Sequence, residues 1–117
     1  MSHPYYHSKS SARKFGGIPE DYLAVHEWLD ATKATWNDPR HRAIPHSAFG
    51  IYLAQQVFGE TVTRQSDRKK VPTRLIGEQH VREDMGETIP SVQDWLQGIS
   101  VQPWMCAPRP LSQEGDL

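Results

Sequence analysis

The sequence predicts a mainly α fold with a small β-hairpin (α+β): a compact bundle of about four helices, with a flexible basic arm at 1–14 and a Pro-rich tail at 100–117. Three observations predict it. Apolar residues recur at helical spacing in segments punctuated by Pro and Gly. Residues 60–74 change to β-branched runs around a polar turn. A chain of 117 residues has room for one core, assigned to residues 15–99, and is too short for two ordinary domains.

The elements follow in order. Residues 1–17 are polar and basic and end in Gly16-Gly17, which reads as an extended arm and removes His3 and His7 from the candidate site. A first helix opens at Ile18-Pro19-Glu20-Asp21, where Pro suits the first turn and the acids complement the helix dipole, and it runs to about Trp36. Tyr22, Val25, Leu29 and Trp36 share its apolar arc, with His26, Asp30 and Lys33 as a polar stripe at the edge of that arc. After a basic connector at 40–45, a second helix spans 46 to about 58 and stops at Gly59, with His46, Phe49, Gly50, Leu53 and Val57 on the core side. The hairpin pairs 61–64 with 70–74, and Pro72 confines the second run to an edge. A short helix covers 77–85 and is closed by Gly86. The last helix starts at Ser91-Val92-Gln93-Asp94, a capping-box pattern, and is docked by Trp95, Leu96 and Ile99.

Composition narrows the function classes. Lys+Arg 13 against Asp+Glu 14 gives a formal net charge of −1, so nothing draws the whole chain to nucleic acid or anionic lipid, and nucleic-acid binding is disfavoured. The single Cys106 leaves no internal disulfide, as suits a reducing cytoplasm. The first twenty residues lack an apolar signal core, and no stretch approaches the roughly 20 apolar residues of a membrane span. The expectation is a cytoplasmic protein that does not enter membranes.

The chemistry lies in the histidines. His26 and Asp30 stand at i, i+4, as do His80 and Asp84, so each pair can converge from one helix face. Together with His46 they offer nitrogen and carboxylate ligands suited to a divalent transition metal such as zinc, iron or manganese, and the lack of thiolates excludes a Cys-type zinc site. Glu83 and Glu78 are the carboxylates placed to act as general base. Arg40, His41, Arg42 and Arg82 are candidate contacts for a substrate anion. The competing interpretation is structural: each His hydrogen-bonds its Asp and knits two helices together. His26-Glu27-Trp28-Leu29-Asp30 also looks like the zinc-protease helix motif with Asp in place of its second His, a match too short to carry an assignment.

Several strings together are fairly specific: SARKFGGIPEDY at 11–22, the run 26–33, Arg40-His41-Arg42-Ala43-Ile44-Pro45-His46 with Gly50-Ile51, GEQHVRED at 77–84, and Ile89-Pro90-Ser91 with Asp94-Trp95-Leu96. Over about residues 10–99 they resemble an uncharacterised bacterial and phage family of small histidine-containing proteins. In that family a second His often follows the one matching His46, where this chain has Ser47. The resemblance implies no activity; a phage connection would suit an inhibitor or adaptor role.

Two function classes remain. The first is a metal-dependent hydrolase acting on a small anionic substrate such as a phosphoester, with His26, His46, His80, Asp30 and Asp84 holding the ion. The second is a non-enzymatic interaction or inhibitor protein, whose histidines form a structural network and whose basic arm and Pro/Trp tail bind a protein partner.

Overall fold

The computed structural model describes residues 3–106. Five α-helices and one two-stranded antiparallel sheet make up its regular structure, joined by short 3-10 turns, so the fold is mainly α with a small hairpin. The helices are α1 (Pro4–Phe15), α2 (Leu23–Asp30), α3 (Ala48–Phe58), α4 (Thr73–Asp84) and α5 (Val92–Leu96); the strands are β1 (Thr61–Thr63) and β2 (Lys70–Pro72). α4 packs against α1, α2 and α3, and α1 also lies along α2.

The expected arm is a helix. Pro4 occupies its first turn, the His3 side chain accepts from the Tyr5 amide, and Arg13 and Lys14 sit where they oppose the negative end of the helix dipole. Gly16 then ends it with φ +88°, a conformation that favours glycine. The buried residues of α1 are His7, Ser8 and Ser11, all polar, so a search for apolar periodicity passes over the element.

Other boundaries also moved. Ile18 to Asp21 forms a capped 3-10 turn that leads into α2, which stops at Asp30 rather than Trp36 and continues as the 3-10 turn Ala31–Ala34. Trp36 therefore leaves the apolar arc and is 51% exposed. α3 starts at Ala48, with Ser47 as N-cap. Its buried face is Gly50, Ile51 and Ala54, while Phe49 and Val57 point outward. In the hairpin, Val62 faces Val71 across the register, and Pro72 is the last strand residue. Thr73 opens α4, making that helix one turn longer at its start than expected. α5 begins at the capping box of Ser91 and Asp94, as the sequence implies. The expected tail from 100 includes a 3-10 turn, Pro103–Met105, and its remainder from 107 lies outside the described residues.

The interior has two parts. Tyr22, Val25, Leu29, Val71 and Ile76 form an apolar cluster, walled by Phe15, Trp28, Phe58 and Val62. Next to it, and equally sealed, lies a polar cluster containing His7, His26, Asp30, His46 and His80. α2 feeds both, since Val25 and Leu29 form one i, i+4 stripe and His26 and Asp30 the adjoining one.

Two glycines let α3 approach its neighbours. A Cβ on Gly77 would press on Ile51, where α4 crosses α3, and a Cβ on Gly50 would overlap the carbonyl groups of Ile44 and Pro45. Gly50→Ala is therefore expected to destabilise the protein by about 1–3 kcal/mol, measured by denaturant unfolding, because the obstruction is backbone. An unchanged midpoint would disprove the close approach.

Candidate metal centre

Three helices and one connector aim their polar side chains at one place. α1 supplies His7 and Ser11; α2 supplies His26 and Asp30; α4 supplies Gln79, His80, Glu83 and Asp84. His46 comes from the connector before α3, where its carbonyl accepts from Trp95 Nε1 at 2.9 Å and the next helix is tied to Pro90 through the Ala48 amide, also at 2.9 Å. The α5 segment thus fixes the backbone around His46. One ligand atom from each of His7, Asp30, His80 and Asp84 lies within 4.8 Å of the other three.

The hydrogen-bond network dictates where the protons are. Gln79 Nε2 donates to the His7 carbonyl and to Glu83 Oε1, both at 3.0 Å, so Gln79 Oε1 must be the acceptor for the Ser11 hydroxyl at 2.5 Å. Ser11 has spent its only proton, and its oxygen therefore accepts from His26 Nε2 at 2.7 Å. That leaves His26 Nδ1 as a lone pair, which accepts from His80 Nδ1 at 2.8 Å. His80 Nε2 then faces Asp30 Oδ1 at 3.1 Å and Asp84 Oδ2 at 3.3 Å. A nitrogen between two carboxylates is tenable only as a proton donor or as a ligand to a cation.

His7 obeys the same logic. Its Nδ1 donates to Glu83 Oε1 at 2.7 Å, and Glu83 is held in turn by Ser10 Oγ at 2.5 Å. His7 Nε2 lies 3.2 Å from Asp84 Oδ1, out of alignment for a hydrogen bond and sealed from solvent. Asp30 Oδ2 is likewise buried without a partner. His46 Nε2 is 2.9 Å from Asp84 Oδ2 and 3.7 Å from Asp30 Oδ1.

The residue-level expectations divide accordingly. His80, Asp84, Asp30 and His46 come together, but the His26/Asp30 pair does not converge: His26 turns to Ser11 and His80, and both its nitrogens are occupied. His7, discounted as part of an arm, is in the cluster with 0% exposure. Its signal was available as His7 and Ser11 at i, i+4, below the Pro4 start. Glu83 accepts from His7, whereas Glu78 pairs with Arg74 at 2.6 Å and Arg82 at 3.7 Å. Arg40 is bound to Asp38, at 2.8 Å from Nη2. His41 is buried beside His46, with ring centroids 6.5 Å apart, and Arg42 lies next to it in the chain.

The sequence profile of a domain of unknown function, DUF6915, matches residues 2–105. The chain belongs to this family. No curated protein and no solved structure matches it. Among the described residues of this DUF6915 chain, no helix is long and apolar enough to cross a membrane.

Charge in the DUF6915 cluster is distributed by position. Burial, with the neighbouring His80 and His7, pushes His26 down to about 2, so its ring is neutral, in agreement with the proton pattern. Burial also lowers His46. Burial opposes charge on His80 too, but the hydrogen bonds it donates to Asp30 and Asp84 outweigh it and raise the ring above its usual value. Burial would raise Asp84, yet His46, His7 and His80 hold it far below the ordinary carboxylate range.

These shifts predict a stability maximum for the metal-free protein near the ordinary histidine value of 6.5. Below it the unfolded chain takes up protons that folded His26 and His46 refuse, so stability falls with acidification. Above it folded His80 retains a proton that the unfolded chain has lost, so stability falls again. Each such proton is worth about 1.4 kcal/mol per pH unit. Unfolding midpoints measured from pH 5 to 9 test this, and a continued rise above pH 7 would remove the proton from His80.

Proposed function

We propose that the protein is a metal-dependent hydrolase acting on a small phosphoester, with His7, His80, Asp30 and Asp84 as ligands to zinc, iron or manganese. The observation that carries the reading is that His7 Nε2 and His80 Nε2 are both turned toward two buried carboxylates inside a 4.8 Å group. Two imidazoles and two carboxylates are a donor set for a borderline divalent ion.

Such an ion would supply Lewis acidity and lower the pKa of a bound water. The chain supplies the rest. Glu83 holds the His7 ring by its far nitrogen, and the Ser11–His26 relay does the same for His80, the arrangement by which outer groups orient metal-binding histidines. His46, kept neutral by burial, donates from Nε2 to Asp84 Oδ2 at 2.9 Å and orients that carboxylate. His26 becomes an orienting residue.

The second reading, a non-enzymatic interaction or inhibitor protein, draws on a specific observation as well. His7, His46 and His80 have no exposed surface, and the Asp30 and Asp84 side chains are 3% and 2% exposed, a degree of closure common to structural sites. Trp104, 78% exposed, would then be a partner anchor.

Metal analysis separates them. Tag-free protein is expected to retain about one equivalent of zinc, iron or manganese and to hydrolyse p-nitrophenyl phosphate, with chelation abolishing turnover. His80→Ala should lose the metal, while Glu83→Gln should weaken it about 10–100-fold. Metal-free protein with wild-type folding and no turnover on reconstitution would support the second reading instead.

A further inference from the structure

A cleft of about 250 Å³ opens beside the centre, with Lys33, Trp36, Asn37, His41 and Arg42 among its walls. We infer that this cleft binds a single nucleotide, with its base on Trp36 and its phosphate on Lys33 and Arg42, and presents that phosphate to the His41 side of the metal centre. The inference deepens the hydrolase reading by naming its substrate class, and it rests on that reading only for what happens to the phosphate.

The aromatic wall is prepared for stacking. Trp36 is 51% exposed, yet it is not loose: its Nε1 donates to Asp38 Oδ2 at 2.9 Å, and the Arg40 guanidinium lies 5.1 Å from the ring centroid. Arg40 is itself locked by three side-chain contacts to Asp38 of 2.8–3.2 Å. A rigid, half-exposed indole stacks a flat ring with little loss of conformational freedom, which is how proteins hold unpaired bases.

The cationic wall lacks an anion. Among the described residues Arg42 has no carboxylate partner: Nη1 reaches only the Met85 thioether at 3.7 Å, and Nε is buried with no acceptor. Lys33 also has no ion pair among the described residues, and the one carboxylate in the wall, Asp38, is neutralised by Arg40. His41, 7% exposed, adds a buried Nε2 without a partner. A guanidinium with open donors calls for an oxyanion, and phosphate matches its fork.

Size and position restrict the occupant further. The volume lies just under the roughly 300–1,000 Å³ of sites that enclose drug-sized ligands, which favours one nucleotide over a dinucleotide or a polymer. His41 stands between the cleft and His46, and His46 touches Asp84, so the phosphate end is the end nearest the centre.

The test is calorimetric titration of the full-length chain with adenosine 5′-monophosphate, adenosine and inorganic phosphate, each with metal-depleted and zinc-supplemented protein. The nucleotide is expected to bind the metal-depleted protein at least tenfold more tightly than either half-ligand. Trp36→Ala, Lys33→Gln and Arg42→Gln should each weaken it by at least tenfold. The Trp36 and Lys33 side chains are at the surface, so those two variants test the cleft even if Arg42→Gln fails to fold. No nucleotide binding, binding no tighter than that of phosphate, or unchanged affinity in both surface variants would overturn the inference. Nucleotide binding by a protein that retains no metal would sink the hydrolase reading and leave the cleft standing; metal retention without nucleotide binding would do the reverse.

Discussion

Two carboxylates, Asp30 and Asp84, are buried at the centre of this bundle, and the rest of the structure is arranged around the need to compensate them. An ionised carboxylate removed from water costs several kcal/mol unless it is paired and hydrogen-bonded. No Lys or Arg pairs with either Asp among the described residues; compensation comes from imidazoles on α1, α4 and the connector before α3. The three helices and the connector that meet there do so for an electrostatic reason as much as a hydrophobic one.

That requirement explains how so much polar surface can be sealed. His7, Ser11, His26, Gln79 and Glu83 form an ordered chain of donors and acceptors in which each proton has one possible place, given the two acceptors of the Gln79 amide. A buried network of this kind is stable only when nearly complete, since each orphaned group incurs the full desolvation cost. The gaps in it are therefore informative. Among them are His7 Nε2 and Asp30 Oδ2, at the carboxylates themselves. The apolar cluster of Tyr22, Val25, Leu29 and Ile76 holds the same helices together alongside.

Much of the site was legible from residue spacing. The hairpin, the start of α5 and the participation of His46, His80, Asp30 and Asp84 follow from local pattern: β-branched runs, a capping box, and i, i+4 pairs. What local pattern missed was α1, because its buried face is His7, Ser8 and Ser11 and carries no apolar stripe. Its caps were nonetheless written in Pro4, in Arg13 and Lys14, and in Gly16, so the element was readable from its ends when its middle was silent. Phe49 and Val57 misled in the opposite sense: they fit a helical stripe but are exposed, because Gly50 and Ala54 admit the backbone of α3 where larger side chains would hold it off.

The sequence by itself determined which residue types were available, the helical class of the fold, and which carboxylates stood one turn from a histidine. These are properties of neighbours along one helix, and 3.6-residue periodicity reveals them. Only the tertiary structure decided that His26 would back His80 rather than join Asp30, and that Glu83 would brace His7. Those choices depend on which helix lies opposite and at what distance, and a hydrogen bond spanning 76 residues, as between His7 and Glu83, leaves no trace in the spacing of either partner's own segment.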